Sequence, residues 1–456
     1  MKKLKYIFLL VSLLTLGACQ RSQEERMGIL KVYNWADYID EDVLAEFPEW
    51  YKEQTGEDIE VIYQVFDINE VMLTKIERGH EDFDVVCPSE YIIERMMRKD
   101  MLLPINRDFG ETPDYIPNLA PYIQDELNKM SQGEKKVTDY AVAYMWGTAG
   151  TLYNTEVVTE EEALECANLW NPKFNNKILM KDSYRDCYGL AIIYANKDRI
   201  EKGEVTVEQL MNDNSHESIA KAEEQLKLMK PNIAGWEADF GKEMMTKGKA
   251  WMNFTWSGDA VYAMDLAEEE DDKKLAFVIP KEGSTIWFDG WVMPKGANVT
   301  LAQDFVDFLC KPEIAAMNMD YIGYTSAIAG DELFDLVCEN YGDEEGSLSH
   351  DLSYFFKGTL SDDRYTDGKA IVHTNEIGRQ LTTQYPSLEE TVRCGIMEDF
   401  GDRNQDVLEM WSVVKSNNIS AFSYIMMGFL FIVAVFMFVS SLRRRIKKRR
   451  RMKLRK

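Results

Sequence analysis

The feature that most restricts the fold is a strand pattern followed by a helix pattern, repeated three times in the first hundred residues. The predicted strands cover residues 29–33, 59–66 and 83–87, and the predicted helices cover residues 42–54, 70–78 and 89 to about 99. Strands that alternate with helices in this way pair in parallel. The sequence therefore predicts a parallel sheet covered by helices.

Local signals support the boundaries of these elements. Gly56 ends the first helix, while Asn69 and Ser89 are positioned to cap the next two. Pro48 lies inside the first helix and predicts a kink or a short helical restart. One apolar face of that helix is formed by Val43, Leu44, Phe47, Trp50 and Tyr51.

Aspartate and aromatic residues recur where predicted strands end. Residues 34–38 follow the first strand and residues 89–91 the third, and further strands at 178–180, 251–256 and 286–288 lead into runs that contain an aspartate. Another predicted strand covers residues 144–153. Ligands of open α/β sheets bind beyond the carboxyl ends of strands. Four aspartates at these positions are Asp37, Asp186, Asp259 and Asp289, and the accompanying aromatic residues are Trp35, Tyr38, Trp256 and Trp287.

These residue types suit an alkyl ammonium ligand. Carboxylates balance its positive charge, and a Trp or Tyr face contributes about 0.5–2 kcal/mol to binding a desolvated cation. Buried charges are costly unless each one is paired, so a diamine requires acids at both ends of a slot with aromatic sides. Each residue could alternatively be an ordinary turn aspartate or core aromatic.

Both ends of the chain predict export and anchoring. Residues 1–18 have the basic and apolar regions of a signal peptide, and Leu16-Gly17-Ala18-Cys19 fits a lipobox that would make Cys19 a lipidated N-terminus. Residues 419–442 carry no charge and predict a C-terminal transmembrane helix, and residues 443–456 form a basic cytoplasmic tail. An uncleaved N-terminal anchor is the alternative.

The exported body is strongly acidic. Of 52 Lys and Arg residues, three precede Cys19 and eleven follow Leu442, which leaves 38 against 78 acidic residues and a net charge of −40. Such a field repels nucleic acid and attracts cations.

About 400 residues between the two ends are more than one compact core usually holds, so two lobes are expected. The six cysteines after Cys19 could be buried thiols or form disulfides.

No catalytic or metal-binding motif is present in the sequence. The four histidines are scattered without HExxH, and there is no phosphate loop, GxSxG elbow or GxGxxG fingerprint. The sequence therefore predicts a protein without catalytic residues, metal or other cofactor. A glycan- or peptide-cleaving enzyme with an acid pair is the least favoured alternative.

With its motifs in this order, the chain resembles the periplasmic spermidine/putrescine-binding proteins of bacterial polyamine ABC transporters. The resemblance extends from about Leu30 to Val414. It depends most on residues 32–38, 84–91 and 286–289, with support from residues 144–147, 256–259 and 322–324.

The resemblance implies an α/β, two-lobed periplasmic-binding-protein fold of type II with hinge crossovers. Lobe 1 would comprise residues 29–143 and 290–322, and lobe 2 residues 144–289 and 323–415, with crossings near Ala143, Gly290 and Gly323. The implied ligand-binding residues are Trp35, Asp37, Tyr38, Ser89, Tyr91, Asp186, Trp256, Asp259, Trp287, Asp289 and Tyr324.

The positions at which this sequence departs from the family's pattern do not decide between putrescine and spermidine as the ligand. Asp37 and Asp259 resemble the putrescine-preferring branch, whereas Trp287 resembles the spermidine-preferring one. Ser183 replaces an acid of the spermidine branch, and Ala36 lacks a hydroxyl group. The expected function is polyamine capture at the periplasmic face of the inner membrane and delivery to ABC permease subunits. The alternative is a membrane-tethered polyamine sensor.

Overall fold

An eleven-stranded mixed sheet organises the chain, whose structure is a computed structural model. The structure describes residues 26, 28–79, 81–106, 109, 112–271, 274–343, 345–361 and 367–416. The chain divides into two compact units, residues 1–408 and 409–456, and both the sheet and the candidate site lie in the first.

The strands are short except for two near the centre of the sheet. In chain order they are β1 (Ile29–Trp35), β2 (Glu60–Phe66), β3 (Val85–Val86), β4 (Leu102–Leu103), β5 (Ser131–Gln132), β6 (Lys135–Lys136), β7 (Ala141–Asn154), β8 (Ile178–Lys181), β9 (Ile233–Glu237), β10 (Met252–Trp256), β11 (Leu275–Val278), β12 (Ile286–Pro294), β13 (Thr325–Ser326), β14 (Leu348–Asp351) and β15 (Lys369–Val372).

Helices cover the sheet and connect its strands. They are α1 (Glu41–Thr55), α2 (Asn69–Gly79), α3 (Glu90–Arg98), α4 (Pro121–Leu127), α5 (Glu160–Leu164), α6 (Tyr184–Ala195), α7 (Lys197–Glu201), α8 (Val207–Met211), α9 (His216–Met229), α10 (Gly241–Thr246), α11 (Ser257–Asp271), α12 (Val299–Phe308), α13 (Pro312–Ile322), α14 (Asp331–Tyr341), α15 (Ser353–Phe356), α16 (Gln380–Gln384), α17 (Leu388–Val392) and α18 (Asn404–Lys415). Short 3-10 helices span Ile116–Asn118, Val137–Asp139, Cys166–Trp170, Pro172–Phe174, Lys230–Asn232, Thr374–Glu376 and Gly401–Arg403.

Two parallel groups of strands flank a central antiparallel pair. The main path of the sheet is β2-β1-β3-β12-β7-β10-β8-β9, with β11 and β13 paired to β7 and β4 paired to β12. The pairs β5-β6 and β14-β15 form two separate two-stranded sheets. β1 pairs in parallel with β2 and β3, and β8 pairs in parallel with β9 and β10. Between the two groups, β12 and β7 run antiparallel to each other. This arrangement confirms the predicted α/β class and the expectation of two lobes.

The described residues include a large apolar cluster and a smaller one. The larger cluster extends from Leu30, Val85 and Ile92 to Ile193 and Tyr385, and the smaller one includes Leu179 and Met264. Burying apolar surface on both faces of each strand group holds the helices against the sheet.

The first helix shows how local signals and packing combine. α1 begins after Asp40, whose carboxylate accepts a hydrogen bond from the Asp42 N–H at 2.9 Å, and ends at Gly56 with φ 78°. The helix continues through Pro48, so the predicted restart is wrong. A proline removes only one N–H from the helix, and the buried face that includes Phe47 and Trp50 stabilises the remainder.

The predicted fold class needs one correction. Across the described ranges, no helix is both long and apolar enough to cross a membrane, so the structure does not bear out the C-terminal transmembrane helix included in that prediction. The segments predicted as signal peptide (1–18, followed by Cys19), transmembrane helix (419–442) and basic tail (443–456) lie outside the described residues.

The cysteines after Cys19 are all free thiols. Cys87, Cys166, Cys187 and Cys310 are buried, and Cys338 and Cys394 are partly buried. Of the two possibilities left open by the sequence, the structure therefore favours unpaired thiols over disulfides.

Candidate ligand-binding site

A cavity of about 430 Å³ lies where several strands end and their following helices begin. Strands β1, β3, β8 and β10 lead into it, and β12 crosses beside it. The structure brings together all eleven residues predicted from the sequence, which line this one cavity: Trp35, Asp37, Tyr38, Ser89, Tyr91, Asp186, Trp256, Asp259, Trp287, Asp289 and Tyr324. Their roles in binding stay predictions.

Aromatic rings form much of the cavity wall. The ring centroids of Trp35 and Trp256 are 6.0 Å apart, at an interplanar angle of 69°. Tyr324 contacts Tyr38 edge-on at 4.8 Å and also lies 5.7 Å from Trp287. Such a wall offers apolar contact to methylene groups and negative ring faces to a cation.

Asp289 presents a buried carboxylate oxygen. Its Oδ2 accepts a hydrogen bond from the Tyr38 hydroxyl at 2.8 Å, whereas its Oδ1 has no hydrogen-bond partner among the described residues. Burial raises the pKa of Asp289 to about 7, with a further increase from the charge of Asp186 and an opposing effect of Ser89 and Tyr38. A cation next to Oδ1 would satisfy this carboxylate.

Asp186 forms a second carboxylate of the same kind. It lies in the first turn of α6, and its Oδ2 accepts a hydrogen bond from the Trp256 indole N–H at 3.2 Å. Within the described part of the chain, its Oδ1 also has no partner. Burial raises the pKa of Asp186, although hydrogen bonds from Ser183 and Trp256 oppose the rise.

Asp259 differs from these two acids because the protein already neutralises it. Its Oδ2 forms an ion pair with the buried ammonium group of Lys181, and its Oδ1 accepts a hydrogen bond from the Tyr324 hydroxyl at 2.9 Å. Lys242 lies 4.0 Å from the same carboxylate. Burial alone would raise the pKa of Asp259, but the two lysines reverse the shift and lower it. Neither oxygen is therefore free for a ligand.

Ser89 and Tyr91 belong to a hydrogen-bonded group at the start of α3. The Asn69 amide donates to the Ser89 hydroxyl at 3.0 Å and to the Tyr91 hydroxyl at 3.1 Å. Tyr91 in turn donates to Glu70 at 3.2 Å. Asp37 is exposed at the cavity edge and has a positive φ of 50°. These residues shape the wall nearest the first parallel strands.

Sequence reasoning missed Lys181, Lys242 and Glu90. Glu90 is buried, and its Oε2 accepts a hydrogen bond from the Phe288 backbone N–H at 3.1 Å. Burial and the nearby charge of Asp289 raise the pKa of Glu90 well above its usual range. The sequence shows Lys181 at the end of β8, close to Asp182 and Asp186. Its partner Asp259 lies in α11, and this pairing depends on the tertiary structure.

No group of three or more His, Cys, Asp or Glu residues suited to a metal ion occurs in the ranges the structure describes. The acidic residues of the cavity instead alternate with aromatic rings and, at Asp259, with lysines. This donor set favours an organic cation over a metal ion, which would require several converging oxygen ligands.

Curated proteins of known function show similarity over most of the chain. The spermidine/putrescine-binding periplasmic protein of Salmonella typhimurium is 26% identical over 366 residues, covering 80% of this chain and 94% of that protein. The putrescine-binding periplasmic protein PotF of Escherichia coli is 28% identical over 329 residues, covering 70% and 80%.

Solved structures show the same similarity in three dimensions. A putative spermidine/putrescine ABC transporter protein from Listeria monocytogenes matches with a TM-score of 0.63 and 28% identity, covering 85% of this chain and 99% of that one. PotD, a spermidine/putrescine ABC transporter substrate-binding protein from Streptococcus pneumoniae, matches with a TM-score of 0.57, 27% identity and the same coverage.

The sequence model described as bacterial extracellular solute-binding protein matches residues 49–331, more than half of the chain. Solute-binding proteins of transporters are not enzymes, in agreement with the prediction from the sequence. The chain belongs to the bacterial extracellular solute-binding protein family.

Proposed function

We propose that this protein captures a small polyamine, putrescine or spermidine, outside the cytoplasm and delivers it to an ABC permease. The observation that carries the proposal is the pair of buried carboxylates, Asp186 and Asp289, which line a cavity walled by aromatic rings and each have one oxygen without a hydrogen-bond partner among the described residues. An ammonium group donates hydrogen bonds to such oxygens and balances their charge, while the alkyl chain packs against the rings.

The names of the relatives support the same ligand class. Those described above are named for putrescine, spermidine or both, and the structural neighbours for polyamine ABC transporters. They favour delivery to a transporter over the alternative of a polyamine sensor.

Closure of two lobes over the ligand is part of the proposal. Lobe 1 would contain residues 29–143 and 290–322, and lobe 2 residues 144–289 and 323–415. β7 and β12 would carry two of the crossings because they connect the parallel strand groups. The predicted residues would then surround the ligand from both sides, with Asp259 held by Lys181 and Tyr324.

We also propose that the protein is exported and that Cys19 is lipidated. The proposal depends on the apolar stretch that ends in Leu16-Gly17-Ala18-Cys19. Mass spectrometry of the N-terminal peptide from membranes should show a diacylglyceryl adduct on Cys19. An unmodified Cys19 within an intact signal segment would contradict this assignment.

Thermal unfolding of the purified protein tests the ligand class. A ligand at about 100 times its Kd adds about 2.7 kcal/mol to the free energy of unfolding, which raises the Tm by a few degrees. We expect this shift with putrescine or spermidine, and no shift with lysine or maltose. The absence of a shift with every amine would contradict the polyamine proposal.

Polyamine affinity should depend on pH because ammonium and proton compete for Asp289. With its pKa raised to about 7, Asp289 is mostly protonated at pH 6 and mostly charged at pH 8, whereas alkyl amines stay protonated throughout. We therefore expect putrescine affinity to fall about tenfold from pH 8 to pH 6, with proton release on binding near pH 7. Calorimetric titration in two buffers of different ionisation enthalpy measures both quantities. A constant affinity without proton release would show that Asp289 does not bind the cation.

A further inference from the structure

Lys181 places an ammonium group of the protein behind the cavity wall, against the lining residues Asp259 and Trp256. It is the last residue of β8 and is buried, with a relative exposure of 1%. Its Nζ pairs with Asp259 and lies 3.3 Å from Glu237 Oε1. It also donates a hydrogen bond to the Ala238 carbonyl at 2.7 Å.

The same ammonium group lies over an aromatic ring of the cavity. Its Nζ is 4.5 Å from the ring centroid of Trp256, and Trp256 also donates a hydrogen bond to Asp186. A four-carbon chain that ends in an ammonium group, paired with a carboxylate and placed over an indole, reproduces the contacts that one end of an alkyl polyamine requires.

The buried charges of the cavity therefore divide into two sets. Three carboxylates of its lining are buried: Asp186, Asp259 and Asp289. Lys181 neutralises Asp259, whereas Asp186 and Asp289 form no ion pair within the described residues. Since each buried charge needs a compensating partner, these two carboxylates suit the two ammonium groups of a diamine.

We propose that Lys181 is a built-in ammonium group that fills the Asp259 position and makes the cavity selective for diamines over triamines. The inference rests on the proposed polyamine function and adds a residue that determines specificity. A triamine would bring its third ammonium group towards Lys181, where like charges repel each other in a site shielded from water. Asp259 would thus shape the cavity without binding the ligand's ammonium group.

The wild-type protein provides the first test. We expect calorimetric titration to show that putrescine binds at least about tenfold more tightly than spermidine. Equal affinities, or tighter binding of spermidine, would overturn the role of Lys181 and leave the polyamine function intact. If neither amine binds, the proposed function itself fails, and selectivity between amines fails with it.

The substitution Lys181→Met tests the residue directly, because methionine keeps most of the stem and removes the ammonium group. Asp259 then loses its ion pair with Lys181 and keeps only Lys242, 4.0 Å away, so the ratio of spermidine to putrescine affinity should rise at least about tenfold. Glu237 keeps the N–H of Gly241 and the amide of Asn253 as donors, which limits the damage to folding.

The double variant Lys181→Met/Asp259→Asn is the matched control, since it removes both charges of the pair. Its affinity ratio should stay within about threefold of the wild-type ratio, because no new carboxylate is released. An unchanged ratio in Lys181→Met, or an equal rise in both variants, would overturn the proposal. If Lys181→Met does not fold, the wild-type comparison and the double variant still decide it.

Discussion

Replacing Asp289 by asparagine should lower putrescine affinity by at least about 30-fold while leaving the protein folded. Removing one charge of a buried, hydrogen-bonded ion pair costs about 2–5 kcal/mol of binding free energy, and 2 kcal/mol corresponds to about 30-fold. The asparagine oxygen can still accept the hydrogen bond from Tyr38, and the substitution removes a carboxylate that burial disfavours. Calorimetric titration and a urea unfolding curve measure the two effects.

The matched control is Asp304→Asn. Asp304 is also buried, also accepts a hydrogen bond from a hydroxyl, that of Thr112 at 2.9 Å, and also has a raised pKa, of about 6, but it lies outside the cavity. Its replacement should leave both the putrescine affinity and its dependence on pH unchanged. Wild-type affinity in Asp289→Asn, or a similar loss in Asp304→Asn, would show that Asp289 has no direct role in binding.

Replacing Gly258 by alanine should weaken both the fold and ligand binding. A Cβ at Gly258 would lie 2.2 Å from Cγ of the Tyr324 ring, so this ring must move. Tyr324 donates its hydroxyl hydrogen to Asp259 and contacts the rings of Tyr38 and Trp287. We expect the free energy of unfolding to fall by about 1–3 kcal/mol and putrescine affinity to fall about tenfold or more.

Gly189→Ala provides the comparison for that variant. Gly189 is also a buried glycine within a helix, but its Cβ would meet Met211 at 3.5 Å, an ordinary contact. Alanine favours a helix by about 0.5–1 kcal/mol over glycine, so this variant should be as stable as the wild type or more so. If Gly258→Ala behaved like Gly189→Ala in denaturant and in titration, the close packing of Tyr324 against α11 would be contradicted.

The sequence predicted the fold and the cavity lining largely from the positions at which strands end. Asp37, Asp186 and Asp259 follow strands of the parallel groups, whose carboxyl ends meet on one side of the sheet. Asp289 lies beside Ser89 because β12 pairs antiparallel with β3. The sequence pattern placed Asp289 after a strand that ends at residue 288, whereas β12 continues to Pro294, so the residue was predicted for a reason that the structure does not support.

The ion pairing and burial of the charged residues around the cavity could not be predicted from the sequence. Lys181 is the last residue of β8 and is followed closely by Asp182 and Asp186, yet its ammonium group pairs with Asp259, 78 positions later in the chain. Glu90 occupies the first turn of α3, where an acidic residue ordinarily faces solvent and stabilises the helix dipole, but here it is buried. Both outcomes depend on how the strand groups and helices pack together.

A crystal structure of the protein with putrescine tests the central claim most directly. We expect one putrescine per chain in the cavity, with ammonium nitrogens about 2.7–3.2 Å from Oδ1 of Asp186 and Oδ1 of Asp289 and methylenes against the aromatic wall. Lys181 should remain paired with Asp259 in that complex. Putrescine bound elsewhere, or bound in the cavity without contact to either carboxylate, would contradict the proposed site.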